Sequence, residues 1–553
     1  MEALSTSEIQ QRLLNQSKTT IDIAIIGGGI AGVGIARDAA LRGYGVALLE
    51  RGDFASGTSS RSSRLIHGGL RYLEHGRLGL VHESVTERWR LMKLAPHLVA
   101  PLPFVFPIYA GERPRLGTIK VGTWLYSMMA AFRTPGPRGS YRAAALGNLE
   151  PSLRQAGLVG AASYYDCATN DARLTLETAI DAAQCGAQLF PRTTVTGMSK
   201  EGTGTALEVR ESISGSSAIL HARVVIVAAG PWTDEVLGIA RPQTPGWLRP
   251  TKGAHIVLPQ SKLKLNHAIV MKSIQGDHRV TFAVPWITHT YIGTTDTDCP
   301  NPDDGLTATQ HDVDYLLNIA NHYFPEADLA PRDVVSTWAG VRPLVAPHDE
   351  VAREDVDPSD VSREERLLTY DNRLVVVAGG KLTTFRVMAK KTTDKAAKLL
   401  ALQGIVARRG GATKTRRLPG AEGLDSCAAL GHRLASDHPT LPSDWLYYLA
   451  NRYGVRATAI ANLAAQDRNL AEMVPGCTTL RMAELHFHVR DEFATTIEDV
   501  LLRRTYAHFR TADNGSAAAE AVANVLQQHG FLAQSEVSSA MDNYRRRFTS
   551  LPS

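Results

Sequence analysis

The sequence predicts an α/β fold in three parts. A Rossmann-type dinucleotide-binding domain is interrupted by a mainly antiparallel β domain and followed by a helical C-terminal domain. Three observations predict this. A glycine-rich fingerprint lies between two short apolar runs in residues 21–50. Short β-type segments bounded by turn signals crowd residues 249–345. Beyond about residue 424 the chain is helical in pattern and poor in strands.

Residues 21–26 (IDIAII) read as a buried parallel strand. Gly27, Gly29 and Gly32 follow in G-x-G-x-x-G spacing, and an Ala-rich helical stretch comes next. Residues 46–49 form a second apolar run, closed by Glu50, 18 positions after Gly32. In this pattern one glycine makes the turn, one lets backbone approach a pyrophosphate, and one lets helix pack on strand. The helix N-terminus offers unpaired N–H groups to phosphate. Glu50 is placed to accept ribose hydroxyls and would repel a 2′-phosphate. Strand, glycines, helix, strand and terminal acid in order are far more specific than the glycines alone.

Residues 77–99 and 171–186 read as helices, and 100–145 as irregular, aromatic and basic. Residues 188–196 and 206–210 pair as a hairpin broken at 202–204. Residues 223–228 (RVVIVA) read as another buried strand. AHIVLP, AIVMKS, RVTFAVPW and YIGTTD then give the antiparallel domain. Residues 374–378 (LVVVA) return to the parallel sheet and end in Gly379-Gly380-Lys381. The expected division is a tail at 1–20, a discontinuous nucleotide domain at 21–248 plus 346–400, and a substrate domain at 249–345. A linker at 401–423 and a helical domain at 424–553 complete it.

The chain of 553 residues is long enough for two or three domains. A net charge of +5 is small for this size, and no nucleic-acid signature appears. Five scattered cysteines without a C-x-x-C pair predict neither a disulfide framework nor a metal site. Residues 1–20 resemble no secretion or transit signal. No apolar run approaches the roughly 18 residues of a membrane span.

Only one nucleotide fingerprint is present; GTGTA at 202–206 lacks the third glycine and a following helix. A single fingerprint fits a tightly bound flavin dinucleotide or a nicotinamide dehydrogenase. The next loop favours the flavin. Residues 56–63 hold five serines, a threonine and Arg61, a density of hydroxyls and amides that suits a pyrophosphate and a ring edge. LIHGGLRYLE follows, with glycines that permit approach to a flat ring, a phosphate-binding cation at Arg71 and a phenol at Tyr72.

Further blocks are SSRLIHGGLRYLE (62–74), DARL (171–174), AAGPW (228–232), KGAHIV (252–257), VPW (284–286), IGTTD (292–296), AGVRPL (339–344), SRE (362–364), GGKLTTFR (379–386) and LLRRT (501–505). With these the chain resembles the FAD-dependent, membrane-associated glycerol-3-phosphate dehydrogenases of the aerobic respiratory type, from about residue 20 to the C-terminus. The resemblance implies FAD held by Gly27, Gly29, Gly32, Glu50, Thr58, Ser59, Ser60, Ser63, Leu65, His67, Val195, Ala229, Gly230, Gly380 and Leu382. It implies His255 as general base, with Arg342 and Lys381 stabilising the developing alkoxide. It implies Arg71, Tyr72, Arg363 and Thr384 on the substrate. Ala254, Ala229 and Phe385 stand where serine, threonine and tyrosine are common in the family. Relatives acting on other polyol phosphates, such as erythritol phosphate, share the same blocks.

The family reading implies oxidation of glycerol 3-phosphate to dihydroxyacetone phosphate, with electrons passed to a membrane quinone; oxygen is the alternative acceptor. Residues 113–142 support docking on an anionic bilayer. Ile119, Val121, Trp124, Leu125, Tyr126, Met128, Met129 and Phe132 are flanked there by six basic residues. A core helix with solvated basic ends is the competing reading. The expected location is the inner face of the cytoplasmic membrane, as a homodimer, with no nucleic-acid partner.

Overall fold

The computed structural model describes residues 6–69, 76–112, 115–130, 133–244, 246–274, 276, 279–303, 306–345 and 365–548. Arg71, Tyr72 and Arg363 lie outside them. Two sheets organise the chain. In the first, the strand order is Arg366–Tyr370, Leu374–Ala378, Ser217–Val227, Thr20–Ile26, Val46–Leu49, Gln188–Phe190. Its central strands are parallel: Thr20–Ile26 pairs with Ser217–Val227 on one side and Val46–Leu49 on the other. They are buried on both faces, which is why they read as unbroken apolar runs. The hairpin Thr193–Glu201/Gly204–Glu211 pairs with the first half of the interior strand Ser217–Val227 and turns at Gly202, so GTGTA spans a hairpin turn and the start of its second strand.

The helix Ile30–Leu41 packs on the helices Asp171–Gln184 and Phe385–Ala401. Gly34 permits the second contact, because a Cβ there would already meet Phe385 and Ala389. The ion pair Arg37–Asp181, at 2.5 Å, fixes the first. Residues 1–20 are not simply a tail, since the helix Thr6–Gln16 buries Leu13 against the sheet.

The second sheet runs Thr297–Asp298, Thr251–Pro259, His289–Gly293, Val280–Trp286, Ala268–Lys272, Val99–Tyr109, Leu158–Thr169, Leu65–Ile66. Ser336–Arg342 also pairs with Thr251–Pro259, and Gly139–Arg142 with Leu158–Thr169. This corrects the expected division. Residues 65–66, 99–109, 139–142 and 158–169 belong to the sheet of the substrate domain, not to the nucleotide domain, and most of the described part of 100–145 is regular. The strand Val99–Tyr109 is hard to read because it carries Pro101, Pro103 and Pro107. All three share one parity, so their missing donors fall on one side of the strand and the ladder on the other side survives. The helix Leu116–Met129 occupies most of what remains.

The C-terminal part is helical, from Cys427–Asp437 to Val537–Phe548. Buried ion pairs dock it. Arg173 donates to both carboxylate oxygens of Glu492, at 3.1 and 2.8 Å. Asp53, in the loop just after Glu50, accepts from Arg503 at 2.6 Å and from Arg504 at 2.7 and 2.8 Å. Asp499 accepts from Arg192 and Arg503, and these guanidiniums hold its carboxyl far below the usual carboxylate range despite its burial.

Candidate active site

Two neighbouring cavities open where the carboxyl ends of the parallel strands meet the second sheet. The larger, about 480 Å³, is a cleft lined by Gly27, Gly29, Glu50, Thr58, Ser59, Val195, Ala229, Gly230, Gly380 and Leu382, all expected cofactor residues. Two glycines of the fingerprint turn, Gly27 and Gly32, leave no room for a side chain. Gly27 has φ +114°, and a Cβ there would lie 2.5 Å from the Ala228 carbonyl oxygen. A Cβ on Gly32 would lie 1.8 Å from the Gly27 carbonyl oxygen. Gly32 therefore sits behind the turn rather than on the cleft, keeping helix and turn in contact.

Glu50 is buried and anchored before any ligand arrives. Its two oxygens accept from the N–H groups of Gly28 and Gly52, each at 2.6 Å. Burial raises its pKa while these hydrogen bonds oppose the rise. Ser59 Oγ accepts from the Ile30 N–H at 2.9 Å, tying the serine-rich loop to the first turn of the helix. A cleft edged by an anchored acid, a glycine turn and a helix N-terminus fits the ADP half of a dinucleotide. The continuation past Thr58 to Gly379, Gly380 and Leu382 leaves room for a ring system beyond it.

The smaller cavity, about 190 Å³, shares Thr58, Arg61, Ser62, Gly380, Lys381 and Leu382 with the cleft. Ser63, Leu65, His67, His255, Arg342 and Thr383 also line it. The three residues expected to act in catalysis, His255, Arg342 and Lys381, thus meet around one space from three distant parts of the chain.

Sheet register explains the placement of His255. It pairs with Gly293 on one side and Trp338 on the other. The absent side chain at Gly293 makes room for the imidazole, since a Cβ there would fall 2.0 Å from its Cδ2. The ring stacks on Trp338 with centroids 4.6 Å apart and planes 12° apart. Its Nε2 meets Ser63 Oγ at 2.9 Å. Burial, with Arg64 and Arg342 nearby, holds its pKa well below the usual histidine value. The ring is therefore neutral at pH 7 and able to accept a proton.

Arg342 is oriented by Asp296 at 2.7 Å and by the Thr294 hydroxyl at 3.1 Å. Gly253 leaves room for its guanidinium, which a Cβ would meet at 2.4 Å.

Some expected residues lie elsewhere. Thr384 is buried at the start of the helix Phe385–Ala401 and lines neither cavity. Its neighbour Thr383 lines the smaller one and exchanges two 3.2 Å hydrogen bonds with the His67 backbone. Ser60 is buried within the loop, also off both cavities. The glycine requirement at position 68 also has another source. A Cβ there would strike the Tyr126 hydroxyl at 2.2 Å, and that hydroxyl accepts from the Gly68 N–H at 2.7 Å. Sequence reasoning missed Trp338, Thr383, Thr294 and Asp296, although AGVRPL lies beside the first, GGKLTTFR contains the second and IGTTD contains the last two.

Comparison with known proteins identifies the family and the cofactor. The family model for FAD dependent oxidoreductases matches residues 22–395, and that for the C-terminal domain of alpha-glycerophosphate oxidase matches residues 411–535. The chain is 36% identical over 537 residues to glycerol-3-phosphate dehydrogenase 2 of Mycobacterium tuberculosis, covering 95% of this chain and 88% of the relative. It is 34% identical over 562 residues to alpha-glycerophosphate oxidase of Streptococcus pneumoniae, covering 91% and 90%. The solved glycerol-3-phosphate dehydrogenase from Bacillus halodurans, complexed with FAD, superposes with a TM-score of 0.78 at 29% identity, over 97% of each chain. The cofactor is FAD. The chain belongs to the FAD-dependent glycerol-3-phosphate dehydrogenase family.

Proposed function

We propose that the protein oxidises sn-glycerol 3-phosphate to dihydroxyacetone phosphate and passes the electrons to a membrane quinone. The observation that carries the chemistry is the meeting of His255, Arg342 and Lys381 on a cavity that shares its wall with the FAD cleft. The substrate is a dianion, and two fixed cations match its charge. The Arg342 fork suits bidentate phosphate contact and Lys381 acts as a point charge. Bound FAD supplies a two-electron acceptor for the hydride that leaves C2. His255 takes the hydroxyl proton at Nε2, in the tautomer that carries its own proton on Nδ1. The substrate hydroxyl takes the place of the Ser63 hydroxyl at Nε2, whose single lone pair cannot serve both. Arg71, Tyr72 and Arg363 are further substrate ligands on sequence grounds.

The test is anaerobic bleaching of the bound flavin by a panel of polyol phosphates. Glycerol 3-phosphate bleaches it and free glycerol does not; faster bleaching by erythritol phosphate would move the substrate assignment. Arg342→Ala removes a charge-assisted contact and leaves Asp296 facing the dianion. We expect a loss of about 3 kcal/mol or more, seen as bleaching that fails at low substrate while FAD stays bound. Loss of FAD instead would show that the guanidinium serves the cofactor.

The helix Leu116–Met129 supports membrane docking. Val121, Trp124 and Met128 are exposed at 66%, 44% and 42% and recur at helical spacing, while Ile119 and Tyr126 face inward. Arg115, Lys120, Arg133, Arg138 and Arg142, on and beside this helix in the sequence, are exposed. No described helix is long and apolar enough to cross a membrane. Val121→Ser/Trp124→Ser should weaken flotation with anionic liposomes; unchanged flotation rejects the idea. An oxidase is the second reading, favoured by the match to the oxidase C-terminal model. Peroxide formed in step with substrate consumption would establish it and displace the quinone.

A further inference from the structure

Arg64 follows Ser63 directly, yet its side chain points away from both cavities into the protein. It is 2% exposed and its backbone is left-handed, with φ +54°. Four rings surround the guanidinium. Its Cζ lies 4.2 Å from the ring centroid of Trp286, 3.9 Å from Trp338, 4.2 Å from Tyr506 and 5.2 Å from Phe509. Among the described residues none of its three nitrogens has a hydrogen-bond partner. A buried guanidinium without a carboxylate is costly and is held here by the negative faces of the rings. With no hydrogen-bonded carboxylate on it among the described residues, its field reaches its neighbours through a medium of low dielectric.

One of those neighbours is the indole on which His255 stacks. We propose that Arg64 is a positioning residue for the reaction: caged behind Trp338, it keeps His255 uncharged and ready to accept the substrate proton. The proposal rests on His255 being the base. The other groups facing this histidine do not replace it. Arg342 is neutralised in part by Asp296, at 2.7 Å. Lys381, Arg61 and His67 line the same cavity and will face the substrate phosphate and the flavin. Tyr291 presents a phenol whose pKa burial raises, and it donates to the Ser63 carbonyl at 2.8 Å. On the cage side Asp171 accepts from Ser62 Oγ at 2.6 Å and from Tyr506 at 2.5 Å. Arg64 is therefore a cation beside His255 that neither substrate nor, among the described residues, a hydrogen-bonded acid discharges.

Because the base is the neutral form, reduction rises with pH through the His255 pKa. Removing a neighbouring cation moves that acid limb to higher pH. The measurement is the pH dependence of anaerobic flavin reduction by glycerol 3-phosphate in the holoenzyme. Arg64→Met should shift the limb upward by on the order of one pH unit, and Arg64→Lys should leave it near the wild-type position. If Arg64→Met does not fold, Phe509→Leu opens one wall of the cage to water and should shift the limb the same way by less. A limb that moves in neither variant, or moves equally with lysine, overturns the role of Arg64. His255→Asn separates the two ideas: a limb that persists in this variant means that His255 is not the base.

Discussion

Replacing His255 by asparagine slows anaerobic flavin reduction by glycerol 3-phosphate by about 10²–10⁴-fold, the usual contribution of a positioned general base. Asparagine keeps a polar group near Ser63 and fills less space than the imidazole, so the pocket between Gly293 and Trp338 tolerates it. FAD content and the visible flavin spectrum should be unchanged, because His255 lines the smaller cavity and not the cleft. Stopped-flow reduction at saturating substrate distinguishes a chemical defect from a binding defect. A rate within a few fold of the parent protein would transfer the proton to another group, with His67 the next histidine on the same cavity.

The second large effect is structural. Gly32→Ala would place a Cβ 1.8 Å from the Gly27 carbonyl oxygen. The obstacle is backbone within the turn itself, so no rotamer change relieves it. Either the helix Ile30–Leu41 withdraws from the strand Thr20–Ile26 or the turn opens, and both destroy the cleft. We expect a cost above about 4 kcal/mol, a large share of a typical domain's stability, read as loss of FAD and a lowered Tm. Gly79→Ala is the control. It lies in the helix Leu78–Leu94 with nothing within 4 Å of the added methyl, so FAD content should not change. A Gly32→Ala variant that retains FAD would show that the helix packs differently from this arrangement.

The nucleotide half of the site is legible in the sequence because it is local. Gly27 to Glu50 spans one strand–helix–strand unit, and each residue type answers a nearby steric or hydrogen-bonding demand. His255, Arg342 and Lys381 are assigned through family blocks; nothing about a histidine in an apolar strand announces a base. What brings it to the cavity is pairing with Gly293 and Trp338, partners 38 and 83 positions away. Thr384 illustrates the opposite failure. Two adjacent threonines are equivalent in composition, and only the first helical turn decides which faces the cavity. The strand Val99–Tyr109 is obscured by its prolines, whose shared parity has meaning only once its neighbours in the sheet are known. The Arg64 cage combines residues 64, 286, 338, 506 and 509, so no window of sequence contains it.

Asp53 gives the C-terminal domain a part in the life of the cofactor. The loop that carries it begins right after Glu50 and borders the cleft, while its carboxylate is gripped by Arg503 and Arg504 from the other end of the chain. Cofactor and C-terminal domain thus act on one loop, and their free energies of attachment are reciprocally coupled. Whatever FAD contributes by ordering that loop also tightens the docking of the helices. Any loosening of the helices is returned to the cleft as weaker binding of the flavin.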